Sequence, residues 1–521
     1  MKLNYRRTIC VGFAFFLICE FWQAYDNTIP MILTNKFGMS QTFSGFIMAL
    51  DNVLALFMLP LFGTISDRTR SRLGRRTPYI LFGTIAAVCA FIALSAVDAV
   101  QLKRLGEIAR IDDPAALVRI YEEEADEELL TPGGESFRLR ERYDEETFAS
   151  IMSTKEDEGK TITNPEYADY VVPARQAAAA RVTRTQPGTL IVFIVLLLIA
   201  LVAMATFRSP AVALMPDVTI KPLRSKGNAV INLMGSAGGV LALVLGMVFA
   251  TSAVRNSMMS YTGYFTVVGG IMLAALFLFM LTVREPRFIL EMHEESRRFG
   301  LIETETGEGE QGKSSAVLGR GEKRSLIFIF ASIVFWFAGY NAVTSKYSVY
   351  AGAVLHTDYN LTLIIAQLAA IVSYLPVGII ASKAGRKKTI LAGVAMLAAA
   401  FASASFMRSD SPSMLMNCVF ALAGIAWATI NVNSFPMVVE MCREGDVGKY
   451  TGFYYAASMA AQVATPIASG FLMDRIGMKA LFPYSVFFVV LSFITMLFVK
   501  HGDSKPIAKH GLEALEDMDA D

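Results

Sequence analysis

The sequence predicts an all-α membrane protein of twelve transmembrane helices, arranged as two parallel six-helix repeats with one small insert. Three observations predict it. Apolar runs long enough to cross a bilayer recur twelve times. A basic loop, Gly63 to Arg76, returns in weaker form at Gly378 to Lys388. The halves also overlay at a constant offset: Tyr25-Asp26 falls on Tyr340-Asn341 and Gly63 on Gly378, both 315 residues on. Composition agrees. Of 521 residues, 54% are hydrophobic and 18% charged, more apolar surface than a soluble interior can bury.

The first six spans are read at Thr8–Leu33, Thr42–Phe62, Tyr79–Val97, Thr189–Leu214, Gly227–Ala250 and Tyr264–Val283. The second six are read at Leu326–Tyr350, Leu361–Ala381, Thr389–Phe406, Met414–Val438, Tyr450–Leu472 and Leu481–Val499. Each must be a helix, because lipid offers backbone groups no partner outside the segment. Lys and Arg cluster at the N-terminus, in the 63–76 loop, at Lys221, Arg224 and Lys226, in the central linker, and at Lys383 to Lys388. The short loops opposite hold few basic residues, Lys36, Arg255 and Arg408 among them, so both termini are expected in the cytoplasm. Compact loops suggest a bacterial inner membrane. The five cysteines lie in or beside apolar runs at no metal-ligand spacing, and net charge near +1 gives no reason to expect nucleic acid.

Beyond the second helix the repeat offset drops: Thr206 and Asp217 overlay Thr429 and Glu440 at 223. The first half therefore holds about 92 extra residues, nearly all between helices three and four. The expected organisation is helices 1–3 over 1–97, an extracytoplasmic acidic insert over 98–187, and helices 4–6 over 188–284. A cytoplasmic linker over 285–323, helices 7–12 over 324–500 and a cytoplasmic tail over 501–521 complete it. The insert has no His or Cys, which excludes a zinc site or a Cys/His nucleophile within it. Val118, Ile120, Leu129, Leu130, Phe137, Leu139, Tyr143 and Phe148 suit short amphipathic helices. It reads as a solvated cap, with an extracytoplasmic binding partner as the alternative.

A charge inside a spanning helix costs about 2.5–3.5 kcal/mol or more, so each needs a reason. Glu20, Gln23 and Asn27 form one polar stripe on helix one, with Asp26 on its shoulder. Asp51 lies near the middle of helix two, and Arg208 is the basic residue well inside helix four, a candidate partner for Glu20 or Asp51. In the second half Asn341, Gln367, Asn431 and Asn433 are neutral donors and acceptors suited to hydroxyl groups. Trp22, Trp336 and Trp427 could stack on sugar rings. Proton chemistry is thus expected in the first half, with a neutral polar solute held across to the second. In the basic loop Gly63, Asp67, Arg68, Gly74, Arg75 and Arg76, with Asp217 and Glu440 at matching helix ends, suit pairing across the halves or capping of helix ends.

The loop pattern G-x-x-x-D-R followed by G-R-R, repeated more weakly in the second half, resembles the major facilitator superfamily. Its longer form, S-D-R-T-x-S-R-x-G-R-R-x-P from Ser66 to Pro78, is similar to the sucrose-transporter and glycoside–cation symporter branches. The resemblance implies a cavity lined by helices one, four, seven and ten, and a conformational gate at the basic loop. A sodium-type D-x-x-x-D-P pair is absent, since Ala55 and Leu59 precede Pro60. The expected function is alternating-access transport, proton-coupled symport of a sugar or glycoside, with no cofactor or metal and no enzymatic constellation. The alternatives are a facilitator or exporter of another small polar solute, and a membrane sensor whose insert binds a partner.

Overall fold

The computed structural model describes residues 3–157, 160–220, 223–298, 320–440 and 447–500. Six long helices build the first half: α1 (Tyr5–Asn35), α2 (Gln41–Arg68), α3 (Thr77–Leu105), α8 (Gly188–Asp217), α9 (Arg224–Val248) and α10 (Thr262–Thr282). Six build the second: α12 (Arg320–Tyr350), α13 (Tyr359–Ala384), α14 (Arg386–Ser405), α15 (Ser413–Glu440), α16 (Val447–Ile476) and α17 (Leu481–Leu497). Among the described residues eleven helices are long and apolar enough to cross a membrane. The twelfth, α13, has 26 residues and an apolar stretch over Tyr359–Tyr374. Large apolar side chains stand fully outward, Phe57 and Phe82 at 68% exposure and Phe406 at 85%. Water would not tolerate so wide an apolar surface, and lipid does.

Helix starts are set by local chemistry. The Asn4 side chain accepts from the Arg7 N–H at 3.1 Å, and Ser40 caps α2 by accepting from Phe43 N–H at 3.2 Å. Asp358 does the same for α13, accepting from Asn360 N–H at 2.9 Å. The packing repeats between halves. α1 lies on α9 and α10 as α12 lies on α16 and α17; α8 packs on α2 and α3 as α15 packs on α13 and α14. Each half keeps its own apolar core. The halves meet through α2 on α16, its counterpart α9 on α13, and α1 on α12.

Between α3 and α8 the insert folds as a compact module at one end of the bundle. It holds α4 (Pro114–Glu124), α5 (Leu139–Arg142), α6 (Glu145–Ala149) and α7 (Val172–Thr185). Two hairpins join them: β1 (Leu129–Leu130) with β2 (Ser136–Phe137), and β3 (Thr154–Asp157) with β4 (Lys160–Thr163). Leu117, Ile120, Leu139, Phe148, Tyr167 and Val171 form its core. Buried Arg175 donates to the carbonyls of Ile108 and Arg110 and to the Tyr167 hydroxyl. Leu129, Leu130 and Phe137, expected on helices, lie in the first hairpin. Pro132-Gly133-Gly134 between them forces a tight turn, with Gly134 at φ +89°.

α3 runs eight residues past the expected end at Val97 because its polar end is satisfied. Asp98 forms an ion pair with Lys36, both fully buried, and accepts from Tyr261 N–H at 3.1 Å. Gln101 donates to the Lys36 carbonyl at 3.0 Å. At the opposite end α11 (Glu285–Arg298) lies against the bundle, with Arg7 paired to Glu295 at 3.1 Å. Residues 299–319 of the linker and the tail from 501 lie outside the described residues.

Small residues set the closest helix approach. Gly235 and Gly238 of α9 sit on Phe15 and Phe16 of α1, and a Cβ at Gly238 would collide with the Phe16 carbonyl. Gly238→Val should cost about 1–3 kcal/mol through overpacking, read as a lower melting temperature in detergent. Gly270→Ala on α10, where a Cβ meets nothing within 4 Å, should leave the melting temperature unchanged.

Candidate functional site

α1 crosses the bundle centre and carries its polar stripe to the interface between the halves. A cavity of about 280 Å³ lies there, lined by Gln23, Asp26 and Asn27 of α1 and by Tyr340, Gln367 and Trp427 of the second half. A smaller one of about 90 Å³ shares Asp26 and Thr344 with it and adds Asp51, Asn52, Asn341 and Gln462. Asp26 is therefore the carboxylate common to both spaces. Seven of the sequence-predicted residues, Gln23, Asp26, Asn27, Asp51, Asn341, Gln367 and Trp427, come together on these walls.

The wall groups differ in how far they are already committed. Asn27 donates to the Gln23 carbonyl at 2.9 Å and Asn341 to the Phe337 carbonyl at 2.8 Å, each one turn back on its own helix. Their side-chain carbonyls remain the acceptors on offer. Asn52 donates to Asp51 at 2.7 Å. The Gln367 side-chain oxygen is buried with no hydrogen-bond partner. Tyr340 and Trp427 stack face to face, centroids 3.6 Å apart and planes 3° from parallel, and Phe337 meets Trp427 edge-on at 5.3 Å. This aromatic wall includes Tyr340, which sequence reasoning used only as an alignment marker. Its signal was present in the Tyr25-Asp26 to Tyr340-Asn341 overlay.

The remaining residues stand apart. Glu20 is fully buried within the first half, near Tyr264 of α10, and neither carboxylate oxygen has a hydrogen-bond partner. It lines neither cavity. Arg208 makes no ion pair with Glu20 or Asp51 among the described residues; its guanidinium lies over the Trp22 ring at 5.6 Å. It remains near enough for its charge to act on Asp26 and Asp51. Asn431 is exposed, and Asn433 is buried and donates to the Thr429 carbonyl at 2.9 Å. Trp336 is buried in the second-half core.

The basic loop forms a separate knot within the first half. Buried Arg76 donates to Asp217 at 2.9 Å and to Ser66 at 2.5 Å, reaches the Gly63 carbonyl at 3.4 Å, and pairs with Asp67. Arg75 pairs with the other Asp217 oxygen at 2.9 Å. Glu285, at the start of α11 and fully buried, accepts from the N–H groups of Arg75 at 2.8 Å, Arg76 at 3.0 Å and Thr77 at 2.8 Å, and from the Thr77 hydroxyl at 2.8 Å. It thereby caps the N-terminus of α3, where a carboxylate meets the positive end of the helix dipole. Gly74, at φ +112°, leaves room for it, since a Cβ there would collide with the Glu285 carboxylate. Arg68 is exposed with no such partner among the described residues. The Glu440 side chain lies outside the described residues. No ion pair from this loop reaches the second half among the described residues. Sequence reasoning missed Glu285, whose one signal was an acid two residues past the last apolar run of the first half.

Glu285→Ala should strip three N–H groups of their acceptor and cost about 3 kcal/mol, measured as lost thermal stability of the purified protein. Arg68→Ala should leave that stability within measurement error.

The family model described as Major Facilitator Superfamily matches residues 176–454 and 356–515, and one described as MFS/sugar transport protein matches residues 11–101. No curated protein sequence matches the chain. Among solved structures it is similar to a D-xylose–proton symporter, at 15% identity and TM-score 0.57, covering 97% of this chain and 100% of that one. The xylose transporter XylE of E. coli in an inward-open conformation matches at 15% identity and TM-score 0.56, covering 98% of each chain. A point mutant of the nucleoside transporter NupG matches at 11% identity and TM-score 0.50, covering 95% of this chain and all of that one. At these identities the likeness is one of fold.

Proposed function

The chain belongs to the major facilitator superfamily, and from that premise we propose that it moves a neutral, ring-bearing polyhydroxyl solute, a sugar or glycoside, by proton-coupled symport. As a multi-pass membrane protein of this family it is a secondary transporter. The observation that carries the finer reading is the cavity shared by the two halves, with one carboxylate, several amides and a stacked aromatic pair on its walls. Amide oxygens and the Asp26 carboxylate suit the hydroxyl donors of such a solute. The flat face of the Tyr340–Trp427 pair suits the C–H face of a saturated ring. Asp26 takes the coupling proton, because it is the acid common to both cavities, and Arg208 biases its charge from outside the wall.

Hydrogen bonds between the halves support a state closed on the insert side. Asp474 accepts from Gln41 N–H and Thr42 N–H, both at 2.7 Å, and Lys346 donates to the Gln41 carbonyl at 2.7 Å. Thr251 meets Tyr359 at 2.7 Å. These bonds gather at one end of the bundle, beside the insert. With the insert outside and both termini in the cytoplasm, the described state is inward-facing, and the knot around Arg76 and Glu285 acts as a rigid element of the gate.

Uptake of labelled disaccharides into proteoliposomes, with and without an inward proton gradient, tests this reading. Asp26→Asn should abolish gradient-driven accumulation while leaving exchange. Glu20→Gln should keep accumulation, since its carboxyl stands off the cavity. Trp427→Ala should raise KM about tenfold, the scale of losing one aromatic contact. Uptake indifferent to the gradient in the unmodified protein would instead indicate a facilitator.

A further inference from the structure

The insert is held by the two halves in unequal ways. Its grip on the first half is extensive. Gln101 bonds Thr183 at 3.2 Å and Thr189 at 2.6 Å, and Gln176 of α7 donates to Asn35 at 2.8 Å. Gly38, at φ +62° in the α1–α2 turn, lies so close to α7 that a Cβ would strike the backbone of Gln176 and Ala180. The buried Lys36–Asp98 pair fixes the root of the insert beside the same turn.

Among the described residues its grip on the second half centres on one small contact. The turn between β1 and β2 closes on itself, Thr131 N–H to the Glu135 carbonyl and Gly134 N–H to the Thr131 carbonyl, both 2.9 Å. It then touches the α16–α17 turn: Met478 N–H donates to the Pro132 carbonyl at 2.9 Å. Gly134 and Gly477, at φ +89° and +103°, meet backbone to backbone. A Cβ on Gly134 would collide with the Ile476 carbonyl, and one on Gly477 with Gly134 itself. Lys479 beside them attracts Asp169 of the insert. Elsewhere the fit is loose, with a cavity of about 40 Å³ between Val172 and Gln176 of α7 and Val349 and Gly352 at the end of α12. The contact lies next to Asp474, the acid that joins α16 to the start of α2.

We propose that the insert is a latch: fixed to the first half, it clasps the α16–α17 turn through the Gly134–Gly477 contact, holds the outer mouth shut, and releases that turn each time the mouth opens. This rests on the transport reading, because a latch needs an outer-open state to release into. Opening the mouth requires α2 and α16 to part at Asp474. The insert must then travel with α1 and α3, to which many groups bind it, and leave Gly477 and Met478, to which few do. A contact this small biases a two-state equilibrium without freezing it.

Spin labels at Glu146→Cys on the insert and Asp410→Cys in the α14–α15 loop, in a background with the native cysteines changed to Ala, report the separation by double electron–electron resonance in proteoliposomes. Both positions are exposed. The protein should show mainly one short distance, with a longer one that sucrose, lactose or a proton gradient makes more populated. Gly134→Val, Gly477→Val and Lys479→Glu should each raise the longer population about fivefold, the scale of losing one tight contact. Gly133→Ala, whose Cβ would meet only the far end of the Lys479 side chain and the Thr131 hydroxyl, should not. Should a glycine variant fail to fold, Lys479→Glu carries the test, since it alters charge at an exposed side chain. A distance that responds to sugar or gradient but ignores all the latch substitutions overturns the latch and leaves the transporter. A distance that no condition changes overturns both.

Discussion

Lipid supplies no hydrogen bonds, and that constraint arranges most polar groups of the spanning helices, with the buried, unpartnered Glu20 carboxyl as the exception. Backbone groups are satisfied by making each span a helix. Side chains have three routes, and all three are taken. Hydroxyls and amides turn back on their own helix, as Asn27, Asn341 and Asn433 do. Charges at helix ends find partners across the loop, as Arg76, Asp217 and Glu285 do. Others gather between the halves, where Asp26, Asp51 and Gln367 share walls that are not lipid. The cavity is thus where the polar groups of two bundles can coexist without facing hydrocarbon.

The two halves meet this constraint with one packing scheme and different chemistry. Each helix pair of the first half has its counterpart in the second. Yet Asp26 faces its repeat partner Asn341 across the small cavity, and Arg208 has Asn431 in its place. An amide keeps the shape of a carboxylate while removing its charge, so at the Asp26–Asn341 pair the repeat preserves packing and keeps the acid in the first half.

Much of the architecture was legible because hydrophobic run length, Lys/Arg bias and the repeat offset are direct readouts of the bilayer. Gly74 was legible as a motif, although its reason, the Glu285 carboxylate above it, was not, since 211 residues separate the two. The site was partly legible. Glu20 and Asn27 share a helix face, so periodicity grouped them, but they lie about 10 Å apart along the axis. Depth decides that Asn27 reaches the cavity and Glu20 does not, and one sequence carries no depth scale. Arg208 was read by charge alone; the Trp22 face competes for it through a contact that no spacing rule describes. In the insert, a tight Pro-Gly-Gly turn outweighed apolar residues that would otherwise suit a helix.

The cap on α3 also sets an order of assembly. The N–H groups of Arg75, Arg76 and Thr77 are made early, but their acceptor is residue 285. At roughly 5–20 residues per second of synthesis, α3 waits on the order of 10–40 s for it. Through that interval the start of α3 must stay wet, at the membrane surface, while the insert and three further spans are produced. The ribosome thus closes the first bundle with the first residue of the linker, and the half becomes a finished body before the second has begun.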